Sequence, residues 1–393
     1  MARTNGQADS EAGARVTVVV TGLGAVSCFG SGTGALWEGL LRADRRPEPA
    51  PDLCGLPARP HLYAAPDTGA PGTGRTGALL ASAVAEAVAE AGLTRRDLAD
   101  AGLAVGTSLG DIDLAERSGE PGRSLATHRV TASLAARFGV GGPGQTLSTA
   151  CSAGAYAVAW GAELIGTGQA DVVVACGGDA FSRVAVGTLQ RFGLLDGECC
   201  RPFDTHRAGM VTGEGAAALV LESEESARRR GRTAHAVLAG HGWSCDAHHP
   251  MAPEPSGEQL RRSAARALAG LDEVPGAAVL HRAGVAVNDT VEAAAIGEAV
   301  TAAGGSGGDV LGYAPKAVMG HTAGAAGVFG CVIAALVLRH GLVPPNAHVT
   351  DPDPQCPLAV PLDGPVPLPR PSVLVSGTGF GGNNAVLTWR AAA

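Results

Sequence analysis

The chain has 393 residues, enough to bury a large core as two domains or as one large duplicated α/β unit. Apolar residues make up 46%, which excludes a disordered chain, and aromatics only 4%, so Ala, Val, Leu and Gly must build the core. A net charge of −8 argues against nucleic acid as the main ligand, because phosphate binding needs a basic surface.

Residues 1–14 read as a disordered polar tail, without the apolar centre of a signal peptide. An apolar β-branched run at 16–20 reads as a buried strand that turns at Gly22-Leu23-Gly24. Residues 45–74, rich in Pro, Gly and Ala, read as a surface excursion. An Ala-rich helix is expected over 78–91, stopped by Gly92. Short strands follow at 103–107 and 145–149, then a small-residue helix at 152–165. Strands at 171–175 and 215–221 lead to a charged helix that Gly231 ends, and its basic run Arg228-Arg229-Arg230 reads as a mixed-charge surface.

The second part repeats the style. Strands are expected at 234–239, 277–280, 310–313, 372–375 and 385–389, and helices at 257–268, 291–303 and 323–339. Alternating strands and helices imply a buried α/β sheet system. The divide falls at 231/232, giving halves of 15–231 and 232–393. No run of about twenty apolar residues is free enough of Gly and charge to span a membrane. The nine cysteines are scattered without a CxxC pair, so neither a disulfide framework nor a zinc module is expected, and a reducing cytoplasm is the natural setting. Cys176, Cys245 and Cys331 read as core.

Cys151 sits between a strand-like stretch and the helix from Ser152. Unpaired N–H groups and the positive dipole end at a helix start favour thiolate, the nucleophilic form. His281 ends an apolar strand and His321 precedes a helix, both places where side chains project into a cleft. A Cys/His/His set suits acyl transfer through a thioester. Cys151 would hold an acyl group while two imidazole N–H groups hold the carbonyl oxygen of a malonyl-type thioester. Loss of carbon dioxide then leaves an enolate that two fixed donors stabilise better than water does. A separate oxyanion hole is expected from backbone N–H groups at Cys151 and in the turn Gly379-Phe380-Gly381-Gly382.

Thr149-Ala150-Cys151-Ser152-Ala153-Gly154 resembles the nucleophile motif of β-ketoacyl-carrier-protein synthases. Arg201-Pro202-Phe203-Asp204 with Gly213-Glu214-Gly215-Ala216, the segment Lys316 through Gly327, and Gly379 through Asn384 are similar to three further motifs of that family, in order. The resemblance runs from about Val16 to Trp389. It implies an α/β, thiolase-like, five-layer α-β-α-β-α fold of two similar halves, and a dimer with itself or with a paralogue. It implies Cys151 as nucleophile and His281 and His321 as the decarboxylation pair. Lys316 would be an electrostatic partner of Glu292, Phe380 a gate, Leu109 a residue of the acyl pocket, and His249 part of a loop near the cleft. The partner would be an acyl carrier protein, which supplies the phosphopantetheine, so no metal and no bound cofactor is implied.

The chain departs from that family after the first histidine. There the family usually has Gly-Thr-Gly/Ser-Thr, whose hydroxyls grip the pantetheine arm; here the segment is His281-Arg282-Ala283-Gly284-Val285. Arg282 could compensate by meeting the arm's phosphate, with Gly381 and Gly382 lining the substrate site, or it could be an arginine ion-paired with Asp289. The stretch from Gly106 to Cys151 is also shorter than usual, and Arg75 alone remains of a basic carrier-docking segment. Three functions are open: decarboxylative condensation in polyketide or specialised fatty-acid biosynthesis, acyl transfer without decarboxylation, and a chain-length-factor-like subunit that shapes a partner's tunnel. Gly22-x-Gly24 looks like half a dinucleotide fingerprint, but Ser27 holds the third glycine position. His248-His249 lacks the further ligands a metal needs.

Overall fold

The computed structural model describes residues 16–50, 60–68, 74–118 and 126–392. The expected tail at 1–14 lies outside them, as does part of the expected excursion at 45–74. Apolar runs in the first half form β1 (Val18–Ser27), β2 (Gly102–Gly106), β3 (Gly144–Leu147), β4 (Val172–Asp179) and β5 (Gly215–Ser223). The second half forms β6 (Ala236–Cys245), β7 (Ala277–Val279), β8 (Leu311–Tyr313), β9 (Ser372–Gly379) and β10 (Asn383–Arg390).

Outward from the middle, the first half runs β1-β5-β4-β2-β3 and the second β6-β10-β9-β7-β8. In each, the inner two pairings are antiparallel and the outer two parallel. One topology is therefore used twice. The halves meet where β1 pairs antiparallel with β6, Val19 opposite Val237.

The helices that frame the layers and the site are α1 (Arg75–Glu90), α2 (His128–Phe138), α3 (Ala153–Gly166), α4 (Arg183–Arg191), α5 (Glu258–Leu268), α6 (Ala286–Ala302), α7 (Lys316–Met319) and α8 (Ala326–His340). Strand periodicity sorts them into layers. On β4, Val172, Val174 and Cys176 join α1 and α2 in one apolar cluster, while Val173 and Ala175 face a central cluster built on α3 and α8. A third cluster joins α5 and α6 to the far face of the second sheet half. The result is the five-layer α-β-α-β-α arrangement. The segment Ala323–His340 is long and apolar enough to cross a membrane, but 72% of it is buried inside the protein as the helix of this central layer.

Glycine makes the close approaches. A Cβ on Gly154 would lie 2.6 Å from the Gly324 carbonyl oxygen, and one on Gly327 would lie 2.3 Å from the Ala155 nitrogen, so α3 and α8 cross almost backbone to backbone. Gly22 and Gly24 face the Ala87 and Ala83 carbonyl oxygens of α1, at 2.2 and 2.0 Å from a Cβ, which gives that pair a packing role. β4 runs on through Gly177-Gly178 for the same reason, and β6 through Gly240 and Gly242, against which α5 packs. Several expected strand ends at glycine are thus sites of helix–strand contact.

The described part of residues 45–74 is not merely surface. His61–Tyr63 pairs parallel with Thr212–Gly213, and Tyr63 is fully buried with its hydroxyl donating to the Ala317 carbonyl at 2.8 Å. Arg230, expected in a surface run, donates to the buried Glu222 carboxylate and to the Ala91 carbonyl, each at 2.8 Å. Cys245 is exposed at the end of β6, which corrects its expected core placement, whereas Cys176 and Cys331 are buried.

Candidate active site

Cys151 lies in the tight turn Ala150–Ser152 that leads into α3. Ala150 adopts a left-handed φ of 51°, which is strained for a residue with a Cβ. Ser152 braces the turn by donating to the Thr149 carbonyl at 2.7 Å. His281 follows β7. Its N–H donates to Glu292 at 2.7 Å, and the Lys316 ammonium donates to its carbonyl. His321 follows α7, with its N–H on the Val211 carbonyl at 2.8 Å and its own carbonyl accepting from Gly213 at 3.0 Å. The two imidazoles stand perpendicular, at 89° and 5.2 Å between centroids. Cys151, His281, His321 and Phe380 all line one cavity of about 410 Å³.

Both histidines are buried, and neither ring nitrogen of His321 has a hydrogen-bond partner among the described residues. Burial, helped by the Lys316 charge, holds both imidazoles well below their ordinary range, so they are neutral. Each then carries one N–H to donate. Burial also pushes the Cys151 thiol up to about 11, against the pull of the Lys316 charge. This corrects the expectation of a resting thiolate. The thiol sits at a helix start, but desolvation outweighs the favourable charge around it. Lys316 is pushed down by its own burial, while Glu292 acts the other way.

Glu292 is the electrostatic partner expected for Lys316, opposing the effect of its burial without a direct ion pair. Instead the two grip opposite ends of one residue, Lys316 on the His281 carbonyl and Glu292 on the N–H groups of His281 and Arg282. Ser376 completes the clamp, donating to Glu292 at 2.5 Å. Arg282 is fully buried and does not line the cavity, which removes it from any pantetheine phosphate. Its guanidinium donates to the Pro202 carbonyl at 3.1 and 2.9 Å, lies over the Phe203 ring and stands 3.9 Å from Asp289, the ion-paired alternative. Leu109 is also absent from the cavity wall; its N–H donates to Asp179 at 3.2 Å.

The glycine turn is divided in its duties. Gly382 lines the cavity and Gly381 does not. Gly381 donates its N–H to the Pro250 carbonyl at 2.7 Å and Gly382 to the Gly379 carbonyl at 3.1 Å. The Gly381 and Gly382 N–H groups, expected among oxyanion donors, are thus taken up by the protein's own carbonyls. His249 lines the cavity, its Nδ1 accepting from the N–H groups of Met251 and Ala252. Ala283 and Val285, which replace the expected hydroxyls, both face the cavity.

Two residues missed in the sequence, Asp179 and Ser376, hold this frame together with Asp289, which was expected only as a partner of Arg282. Buried Asp179 accepts from Thr107 Oγ1 at 2.7 Å, Ser108 N at 2.8 Å and Gly324 N at 2.6 Å, tying the end of β2 to the turn before α8. Asp289 accepts from the N–H groups of Ala283 and Gly284. Ser376 supports Glu292. A lone acid ending an apolar strand was the available signal for Asp179.

A thiol at a helix start and two neutral imidazoles, set between halves of a duplicated five-layer fold, place the protein among thiolase-like condensing enzymes. The chain belongs to the beta-ketoacyl synthase family: the model of the N-terminal domain matches residues 16–227 and that of the C-terminal domain residues 235–350. It is 33% identical to "Putative polyketide beta-ketoacyl synthase 1" of Streptomyces halstedii, over 93% of this chain and 96% of that protein. It is 30% identical to "Tetracenomycin polyketide synthase ketoacyl synthase alpha subunit" of Streptomyces glaucescens, over 93% and 95%. Among solved structures, "The ishigamide ketosynthase/chain length factor" aligns with a TM-score of 0.86 at 32% identity, covering 97% of this chain and 100% of that one.

Proposed function

We propose that the protein is an active cytoplasmic ketosynthase, joining an acyl group on Cys151 to a malonyl-type unit on an acyl carrier protein in polyketide biosynthesis. The observation that carries this is the perpendicular pair of buried, neutral imidazoles in the cavity that Cys151 enters. In loading, the Cys151 sulfur bonds to the acyl carbon, the carrier's thioester bond breaks, and the thiol proton leaves with the carrier's sulfur. A neutral imidazole is a ready relay for that proton. The N–H groups of Cys151 and Phe380 receive the tetrahedral oxyanion.

In condensation, the bond from the malonyl carbon to its carboxylate breaks and carbon dioxide departs. The electron pair becomes an enolate whose oxygen takes an N–H from His281 and one from His321. The enolate carbon then bonds to the acyl carbon as the Cys151 thioester bond breaks, and the sulfur regains a proton. Lys316 fixes His281 through its carbonyl and adds positive potential beside the thiol. The loss of wall hydroxyls at Ala283 and Val285 favours one second reading, a subunit that shapes a partner's tunnel.

Intact-mass measurement after mixing with acyl-carrier thioesters separates the two. An active ketosynthase gains acyl mass and releases carbon dioxide from malonyl carriers, and Cys151→Ala abolishes the gain. Acyl gain by the alanine variant, or no gain by the unmodified protein with every donor, refutes the active reading.

A further inference from the structure

The cavity wall offers few free hydrogen-bonding groups. Glu292 is spent on His281, Arg282 and Ser376. Asp246 accepts from Asn384 Nδ2 at 2.6 Å and Glu254 N at 3.1 Å. The segment from Ala283 to Val285 has lost its hydroxyls, and its backbone is occupied too. Asp289 takes the N–H groups of Ala283 and Gly284, the Ala283 carbonyl accepts from Cys200 Sγ, and the Val285 carbonyl accepts from Asp289 N. A polar arm passing this segment finds little to bond there.

Apart from Cys151 and the two imidazoles, the cavity wall carries two polar side chains with no partner among the described residues, the Asn288 amide and the Thr378 hydroxyl. Asn288 sits in the first turn of α6, next to Val287, which is 58% exposed at the rim. Thr378 sits on β9 two residues before Phe380, on the same strand face as Ser376, which touches the Glu292 clamp. One stands by the entrance and the other by the reacting turn.

We infer that Asn288 and Thr378 are the groups that bind the pantetheine arm, each hydrogen-bonding one of its two amides. A side-chain amide and a hydroxyl can each both donate and accept, which matches an amide partner at either site. The inference rests on the carrier-thioester reading above. The apolar wall at Ala283 and Val285 packs against the arm's methylene groups while Asn288 and Thr378 hold its polar ones.

The test uses Asn288→Leu and Thr378→Val, each nearly isosteric, and two acyl donors with the same acyl group. One is an acyl-pantetheine; the other is the thioester of a plain alkanethiol, which has no amides. Loading rates on Cys151 are read by intact mass. Each variant should lower the preference for the pantetheine donor by about threefold to tenfold, the range for one neutral hydrogen bond. The inference is overturned if both donors slow equally, or if the preference stays unchanged. If the unmodified protein loads from neither donor, the carrier-thioester reading itself falls and takes this inference with it.

Discussion

The neutrality of His281 and His321 makes folding stability depend on pH, and the size follows from their burial. In the unfolded chain each imidazole titrates near 6.5; in the fold both are held well below that, by burial first and by Lys316 second. Below pH 6.5 the unfolded state therefore binds protons that the folded state refuses. Stability is complete above pH 6.5 and falls as pH drops below it. For a group that stays neutral when folded, the loss at pH 5.5 is about 1.4 kcal/mol, so the pair loses about 3 kcal/mol. Denaturant unfolding at pH 7.5 and 5.5 measures this against His281→Asn/His321→Asn, which cannot protonate. Carboxylates and other histidines are common to both proteins and cancel in the difference. Histidine-labelled NMR gives a direct check, because the two resonances missing from the variant should not move between pH 7.5 and 5.5. A variant that loses as much stability as the parent, or either resonance titrating near 6.5, refutes the reasoning. The proposed function draws its enolate donors from the same neutrality, so one measurement bears on the fold and on that proposal together.

Arg282→Met should destabilise by about 3–5 kcal/mol, because it strips a buried cation from Asp289 and Asp353. Carrier KM should hold in the fraction that folds; a raised KM at unchanged denaturant midpoint would return Arg282 to the substrate arm. Glu292→Gln turns an N–H toward backbone donors that now meet a carboxylate, at a cost of about 1–3 kcal/mol. Carbon dioxide release should fall more than Cys151 loading does, and equal losses in the two assays would show a general collapse of the site.

Most strands were legible because they contain an apolar run of the right length, such as the one in β4. Their ends were not, because the sequence does not say whether a glycine turns the chain or admits a neighbouring helix. Gly178 and Gly242 do the second. The helices α2 and α4 were missed because their apolar residues are few and partly exposed. At the site, Cys151, His281 and His321 could be read from motif and position together. The direction of Arg282 could not, since a cation after a strand is equally compatible with a phosphate and with a buried aspartate. The Cys151 thiol was misjudged for a related reason: the helix start is local and visible, whereas the desolvation that outweighs it comes from residues far away in sequence.

The repeated unit carries a cavity-lining thiol in one half and not in the other. The turn Ala150–Ser152 before α3 has a counterpart, Ala323–Ala325, before α8. Both begin on an alanine with left-handed φ, 51° and 48°, so the strained geometry is a property of the repeated unit. In register, Cys151 corresponds to Gly324 and Gly154 to Gly327. A Cβ on Gly324 would lie 2.6 Å from Ser108 N and 2.7 Å from an Asp179 oxygen, so no side chain fits there. Asp179 instead uses the Gly324 N–H to lock the second turn in place. The first turn keeps its side chain and opens on the cavity; the second gives its side chain up to make room for Ser108 and Asp179. His321, three residues before Gly324, is what the second half contributes from that region. The repeated turn thus presents a cavity-lining thiol in one half and, in the other, a turn locked by Asp179.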